Sequence, residues 1–484
     1  MRNPKILFSL LPLLASACAA GPAYKTPPAA QAAAGPFLTQ SEGFDRTAQL
    51  PDDWWRLYRD PVLDDLIARA FGANTDLRVA SANLARARAI LQESRAGRLP
   101  STDLSGGISY GNATQSGAGQ GLTSSSDAQW SENGGLAVSW EVDLFGRVRR
   151  AIEAARADTQ AVEAARDAVR VTVAAETTRA YLNACASASA LGVARDSYAA
   201  SDKSLQLITA QERAGSVGKL DVERAGSAAA TARAAIPALE GQRQVALFEL
   251  AALLGATPGD IPEGARTCAT APEPVAAIPV GDGAAMLRRR PDLRQAERQL
   301  AADMARIGVA TADLYPKISL GGSGNFFRND LVRGGDSFSF SLGPLLSWSF
   351  PNMSVARARL HQAEAQGDAS LAAFDGRVLT ALKEVEQTLT LVATGQQRLD
   401  ALREAQERSE RAYRFADLRY RAGSVGYIDV LVAQSDMLAA RASYAAQVQQ
   451  LSSARVDLFK ALGGGWQQPT VTGAGGSGTI GEKP

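Results

Sequence analysis

"RAGSVGKLDV" occupies 213–222 and "RAGSVGYIDV" occupies 421–430. The phrase returns after 208 residues, altered only at Lys219/Tyr427 and Leu220/Ile428. A turn written twice at that distance points to a duplication. Trp140 aligns with Trp348, Arg149 with Arg357, Glu176 with Glu384, Asp221 with Asp429 and Gly255 with Gly463, all at the same spacing. Upstream, "DLRVASANLARAR" at 76–88 resembles "DLRQAERQLAADMAR" at 292–306, and Pro100 matches Pro316, now at a spacing of 216. The difference falls between Pro100 and Trp140, in one longer connection of the first half.

Each half follows one plan. A helical stretch, 76–99 or 285–315, ends at a proline that cannot continue a helix interior. The period then changes to two. Leu136, Val138, Trp140, Val142 and Leu144 alternate with small or acidic residues, and so do Ile318, Leu320, Gly322, Gly324 and Phe326 with polar ones. Phe338, Phe340 and Leu342 alternate with serines, and Leu104, Ile108 and Tyr110 mark a weaker fourth strand. Gly/Ser/Asn/Asp-rich loops near 111–129 and 328–336 join the members of each pair. Long helices follow, over 147–212 and 354–420, each roughly 100 Å at 1.5 Å per residue. Leu371, Val378, Val385, Val392 and Leu399 recur every seventh position, as in a coiled coil. Each repeated phrase then turns the chain into a returning helix. Gly215/Gly218 and Gly423/Gly426 are expected to supply positive φ there. Asp221 and Asp429 suit the positive end of the returning helix dipole. Pro237, opposite Ala445 in the repeat, predicts a kink in the first returning helix that the second lacks.

The 484-residue chain carries a net charge of +1, which supplies no field for nucleic acid. One histidine, His361, and three cysteines are thin material for a metal centre or a histidine-based catalyst. No phosphate loop, nucleophile triad or metal cluster supports an enzyme. The first residues read as an export signal: Arg2 and Lys5, then an apolar run over 6–14 too short to span a bilayer. Ala15-Ser16-Ala17 leads into Cys18, which resembles a bacterial lipobox with Ala15 where leucine is commoner. Acyl chains on Cys18 would bind outer-membrane lipid. Ala19 after the cysteine suggests outer-membrane sorting. Cys185 and Cys268 then remain in an oxidising compartment, and the residues leave their pairing open between a bridge and two separate thiols.

Four strands of about ten residues suit tilted membrane crossings. An open sheet leaves its edges unpaired in lipid, so the barrel must close between chains. Two chains give eight strands and three give twelve. The small inward residues favour the wider barrel.

Three blocks carry a family resemblance: "CAAGPAYKTPP" after the lipobox, "WWRLYRDPVLDDLIARAF" at 54–71, and "IPVGDGAAMLRRRPDLRQAERQLAADMARIGVATADLYPKISL" at 278–320. The chain resembles TolC-type outer-membrane factors, in the lipoprotein branch serving resistance-nodulation-division (RND) efflux pumps. The resemblance implies an α+β membrane protein and a homotrimer: a twelve-stranded transmembrane β-barrel, four strands per chain, continued by a long periplasmic α-helical barrel with an equatorial mixed α/β belt. It implies a lipid-anchored outer-membrane location and a passive exit duct for drugs or other toxic small molecules. The partners it implies are a periplasmic membrane-fusion adaptor and an inner-membrane RND-type pump. No cofactor is expected beyond the N-terminal lipid.

The domain reading is a signal peptide over 1–17, then a lipid-anchored segment and the start of the belt over 18–75. The first repeat covers 76–255, with its β-hairpin about 100–145 and its helical hairpin 147–255. A linker spans 256–284. The second repeat covers 285–463, with its β-hairpin about 316–350 and its helical hairpin 354–463. A belt or disordered tail covers 464–484. Tyr420, Asp429 and Asp221, with Arg213 and Arg421 beside them, match the family's constricted periplasmic aperture. Gly215, Ser216, Val217, Gly423, Ser424 and Val425 match the tips that meet the adaptor. Val425 and Val432 depart from the arginine and second aspartate of some members. Alternative readings are a duct for metal-ion efflux or type I protein secretion, and a periplasmic coiled-coil adaptor without a pore. His361 reads as structural or solvent-facing.

Overall fold

A computed structural model describes residues 20–27, 34–111, 128–330 and 332–466. In chain order the elements are β1 (Phe44–Asp45), α1 (Pro61–Ala73), α2 (Thr75–Ala96), β2 (Ser101–Gly111), β3 (Gln129–Val142), α3 (Arg147–Arg213), α4 (Lys219–Leu253), α5 (Glu263–Arg266), β4 (Ile278–Pro279), α6 (Gly283–Arg289), α7 (Pro291–Ala312), β5 (Lys317–Arg328), β6 (Phe338–Ser347), α8 (Ser354–Arg421) and α9 (Tyr427–Ala461). The chain forms two compact units, and each draws on both halves of the duplication. Cys18 and the tail beyond Trp466 lie outside the described residues.

The first unit holds the sheet, in the order β2-β3-β5-β6, antiparallel throughout. Its strands start where the prolines stop the helices. After α2 the chain turns through Leu99 N to Ala96 O, and after α7 through Tyr315 N to Ala312 O. The register sorts the side chains onto two faces. One face carries Leu104, Leu136 and Val138 with Leu320, Phe340 and Leu342. The other is mostly hydroxyl and amide. Ser109 and Ser131 share a hydrogen bond of 2.8 Å, Ser323 and Ser341 one of 2.9 Å, and Asn325 donates to Ser323 at 3.3 Å.

The apolar face is open: Phe340 is 89% exposed, Leu342 86% and Leu104 85%. Water disfavours so much contiguous apolar surface. Aromatic rings bracket it. At the loop end Tyr110 lies 5.2 Å from Trp130, and Phe326 lies 5.2 Å from Phe338. At the helix end Trp140 donates to Arg98 O at 2.9 Å, and its repeat counterpart Trp348 donates to Leu314 O at 3.2 Å. Aromatic rings flanking an apolar band are what a strand needs at two membrane–water interfaces. Among the described residues no helix is long and apolar enough to cross a membrane.

β3 ends at Val142, so Leu144 falls in the joint rather than in the strand. Asp143 caps α3 there, accepting from Val148 N at 2.9 Å and Arg149 N at 2.8 Å. Beside it Arg150 reaches back to the N-terminal segment: its Nε donates to Ala20 O at 3.2 Å and its Nη2 to Gly21 O at 3.1 Å. Ala20 N–H donates to Phe145 O at 3.1 Å. A side chain on Gly21 would strike the Gly308 backbone at 2.6 Å.

The second unit is built around Trp54, which is fully buried and stacked on Phe459 at 4.6 Å. β1 and β4 pair in parallel, Phe44 with Ile278. Asp60 caps α1 through Val62 N at 2.8 Å and also accepts from Tyr181 Oη at 2.8 Å. Cys185 and Cys268 are bonded, at 1.99 Å between sulfurs. The helix expected over 285–315 is two helices: α6 stops at Arg289, Arg290 is extended (φ −67, ψ 120), and Pro291 opens α7. Proline disfavours the helical conformation in the residue before it and fits the first position of a new helix.

Arg290 is buried at this break. Its Nε and Nη2 donate to Asp292 at 3.0 and 2.8 Å, Nη2 also to Glu384 at 2.7 Å, and Nη1 to Ala461 O at 2.9 Å. Burial alone would raise Asp292, but the hydrogen bonds and charge of Arg290 hold its carboxyl below the usual range. α4 continues on both sides of Pro237. In α8 the seventh-position residues Val378, Val385, Val392 and Leu399 are buried, whereas Leu371 is exposed. A strict seven-residue repeat drifts by about 20° per heptad around a 3.6-residue helix, so one contact face cannot hold every member.

Candidate functional site

The two repeated phrases close α3 and α8 with the same bonds. Gly215 N–H donates to Glu212 O at 2.8 Å and Ser216 N–H to Gln211 O at 2.9 Å. Gly423 N–H donates to Tyr420 O at 2.8 Å and Ser424 N–H to Arg419 O at 3.0 Å. This crossed pair needs a left-handed residue at the glycine, and Gly215 (φ +77) and Gly423 (φ +71) supply it. Each serine hydroxyl adds a second bond to the same carbonyl, Ser216 at 2.8 Å and Ser424 at 3.0 Å. Gly218 and Gly426 do not take positive φ. They are extended N-caps of α4 and α9, at φ −89 and −78. One left-handed residue completes the helix end, and an extended one starts the next. Asp221 and Asp429 follow in the first turn, their N–H groups bonded to Gly218 O and Gly426 O.

Within the chain the second hairpin leans on the first. Tyr427 is buried with Ile208, Ala225 and Val430, and Leu205, Val217, Tyr413 and Tyr420 pack around them. Tyr427 Oη and Ser204 Oγ share a 2.7 Å hydrogen bond. Tyr420 Oη donates to Gln211 Oε1 at 2.6 Å, and its ring lies 5.5 Å from that of Tyr427. Deeper along the helices Gln434 donates to Ser201 at 2.9 Å. Burial raises the Tyr427 phenol above its ordinary range, with the Ser204 bond opposing.

The aperture residues from the sequence are therefore gathered unevenly. Tyr420 joins the packed cluster. Asp221 lies 3.9 Å from Arg224 on its own helix. Arg421 pairs with Asp417, one turn back, at 2.8 Å, rather than with an aspartate of either turn. Asp429 and Arg213 are exposed and make no ion pair among the described residues. Gly215, Ser216, Gly423 and Ser424 are exposed, and Val217 and Val425 are half-buried. Sequence reasoning missed Gln211 and Ser204, which carry no motif. It flagged Tyr427 only as the place where the two phrases differ.

A family model for outer membrane efflux proteins matches residues 66–256 and 284–464, one match to each half of the duplication. The chain belongs to that family. It is 32% identical over 468 residues to the toluene efflux pump outer membrane protein TtgF of Pseudomonas putida, covering 93% of this chain and 95% of that one. It is 31% identical to the outer membrane protein OprJ of Pseudomonas aeruginosa, covering 97% and 98%. Among solved structures, the outer-membrane channel OprN superposes with a TM-score of 0.84 at 33% identity, covering 93% of this chain and all of that one. The protein is thus a helix-rich α+β outer-membrane channel of efflux systems, with a long periplasmic extension.

Proposed function

We propose that three copies of this chain form the passive exit duct of a tripartite efflux assembly, each contributing four strands to a twelve-stranded barrel. One observation carries this reading: a membrane-banded, four-stranded sheet whose outer strands β2 and β6 each have an edge unpaired among the described residues. Open edges in lipid leave backbone groups without partners, and neighbouring copies supply them. The hydroxyl face then lines a wet passage and the apolar face meets lipid. Acylation of Cys18 adds membrane affinity of roughly 0.8 kcal/mol per buried CH₂.

The helices continue the duct, and the paired turns narrow its periplasmic mouth, where Tyr420, Asp221 and Asp429 stand. The exposed turns are the docking point for a membrane-fusion adaptor and, behind it, an RND-type pump. A groove of about 960 Å³ between α4 and α9, lined by small residues such as Ala228, Ala232, Ala442 and Ala446, leaves room for an adaptor helix. The cargo class is drugs or other toxic small molecules; TtgF, by its name, belongs to a toluene efflux pump. The duct performs no catalysis, and energy comes from the pump. Purified protein tested in planar bilayers should give channels from trimers, and Tyr420→Phe with Asp429→Asn should raise their conductance. Trimers that conduct nothing even with both changes would sink the proposal.

A further inference from the structure

The gap-free 208-residue spacing carries contacts within one chain to contacts between copies. Inside the chain the seam between hairpins joins Tyr427 to Ser204, Tyr420 to Gln211 and Gln434 to Ser201. In a closed ring of copies, the first hairpin of each copy meets the second hairpin of its neighbour in the matching way. At that second seam the duplication puts Lys219 for Tyr427, Glu212 for Tyr420 and Gly226 for Gln434. Opposite them stand Ala412 for Ser204, Arg419 for Gln211 and Ser409 for Ser201. The hydrogen bond from Tyr420 to Gln211 thus maps onto a carboxylate facing a guanidinium.

We propose that Glu212 of one copy pairs with Arg419 of a second copy of this chain, and that this ion pair closes the seam between copies at the periplasmic mouth. The proposal rests on the ring of copies proposed above. Two observations support it beyond the mapping. Glu212 is half-buried and Arg419 exposed, and neither side chain has a partner among the described residues, whereas Arg421 and Asp417 already satisfy each other. The rest of the seam also loses its apolar glue. Tyr427 and Leu431, which pack against Ile208 and its neighbours, become Lys219 and Glu223. The seam within a copy is therefore aromatic and hydrogen-bonded, and the seam between copies is ionic. Screening by salt weakens exposed ion pairs far more than apolar packing. The seams between copies are the ones that part first when the mouth opens.

The test uses full-length protein with Glu212→Arg, Arg419→Glu and both together, in planar bilayers at 0.1 M and 1 M KCl. Light scattering checks the number of copies. Each single reversal should raise the resting conductance about tenfold at 0.1 M, through three weakened seams. The double reversal should return it to within about twofold of the parent, because the pair is restored with its signs exchanged. At 1 M salt, where the Debye length is about 3 Å, the single variants and the parent should converge. Tyr420→Phe, which weakens the seam inside each copy, should change conductance equally at both salts. Intact trimers in which the double reversal conducts no less than the singles would overturn the proposal while leaving the duct reading in place. A chain that forms no closed oligomer would overturn both.

Discussion

At matching points of the duplication, Asn74 and Arg290 each reach the last carbonyl of a returning helix. Asn74 donates to Leu253 O at 3.0 Å, and Arg290 donates to Ala461 O at 2.9 Å. Asn74 does little more than cap α2, accepting from Asp76 N at 2.9 Å and Leu77 N at 3.1 Å. Arg290 also binds Asp292 and Glu384 and supports the break between α6 and α7. The turns show the same contrast. Their backbone bonds are nearly identical, while Tyr427 is buried where Lys219 is exposed. Duplication has kept what the backbone must do, and the side chains have diverged around it. Backbone geometry tolerates few residues, whereas a contact can be rebuilt from several chemistries.

The comparison breaks most sharply at Arg290. Arg290→Ala should cost about 4 kcal/mol, because it strands two carboxylates and a helix-end carbonyl. Asn74→Ala should cost about 1 kcal/mol, as a lost cap does. Denaturant unfolding in detergent measures both, and equal losses would show that the two junctions do the same work. The sign of the pH dependence follows from Asp292, whose folded carboxyl is held below its unfolded value of about 3.9. Its contribution is present above that value and is lost as pH falls through the folded one. The parent should therefore lose stability below about pH 4, and Arg290→Ala should flatten that limb.

The next effect belongs to one half alone. Cys185 is matched by Ala393 in the second half, which has no bridge there. Replacing Cys185 and Cys268 by serine should cost about 3 kcal/mol by freeing an 83-residue separation in the unfolded chain. Unfolding midpoints with and without reductant check this, and the double variant should no longer respond to reductant.

Smaller still is the contrast between glycines of one motif. Gly255 (φ +63) ends α4 as Gly215 ends α3, but a methyl group on Gly255 would lie 2.6 Å from Ala73 O, while nothing surrounds Gly215. Gly215→Ala should cost about 1 kcal/mol from backbone strain alone, and Gly255→Ala at least about 2 kcal/mol. The smallest effect expected is Tyr427→Phe, which removes the Ser204 bond at about 1 kcal/mol or less. Tyr427→Lys, which copies the first hairpin into the second, should loosen the seam more. Hydrogen exchange at 204–211 reads both.

The residues themselves announced much of this fold. The alternation over 136–142 and 318–326 became a two-faced sheet, and Pro100 and Pro316 marked its starts. "GS" after each long helix became a crossed helix end because glycine alone enters the left-handed region without strain. The rest was hidden for physical reasons. Pairing of β3 with β5 joins segments far apart in sequence, and no local pattern specifies a non-local register. Pro291 was visible, yet the helical period on both sides concealed the break. Gln211 and Ser204 were invisible because a polar residue becomes a partner only when another element arrives. The aspartates drew attention through the family's aperture pattern, but inside one copy the buried tyrosine holds the turns together.

The bonds between β3 and β5 also set an order of events during export. They tie Glu132–Val142 to Ile318–Arg328, so a chain emerging from its N-terminus has the first hairpin outside long before its partner strand arrives. For that interval the first hairpin holds an apolar face and an unpaired edge in water, the state most open to aggregation. The β3–β5 ladder, being non-local, is expected to form after both local hairpins, so that interval ends only when the second hairpin follows.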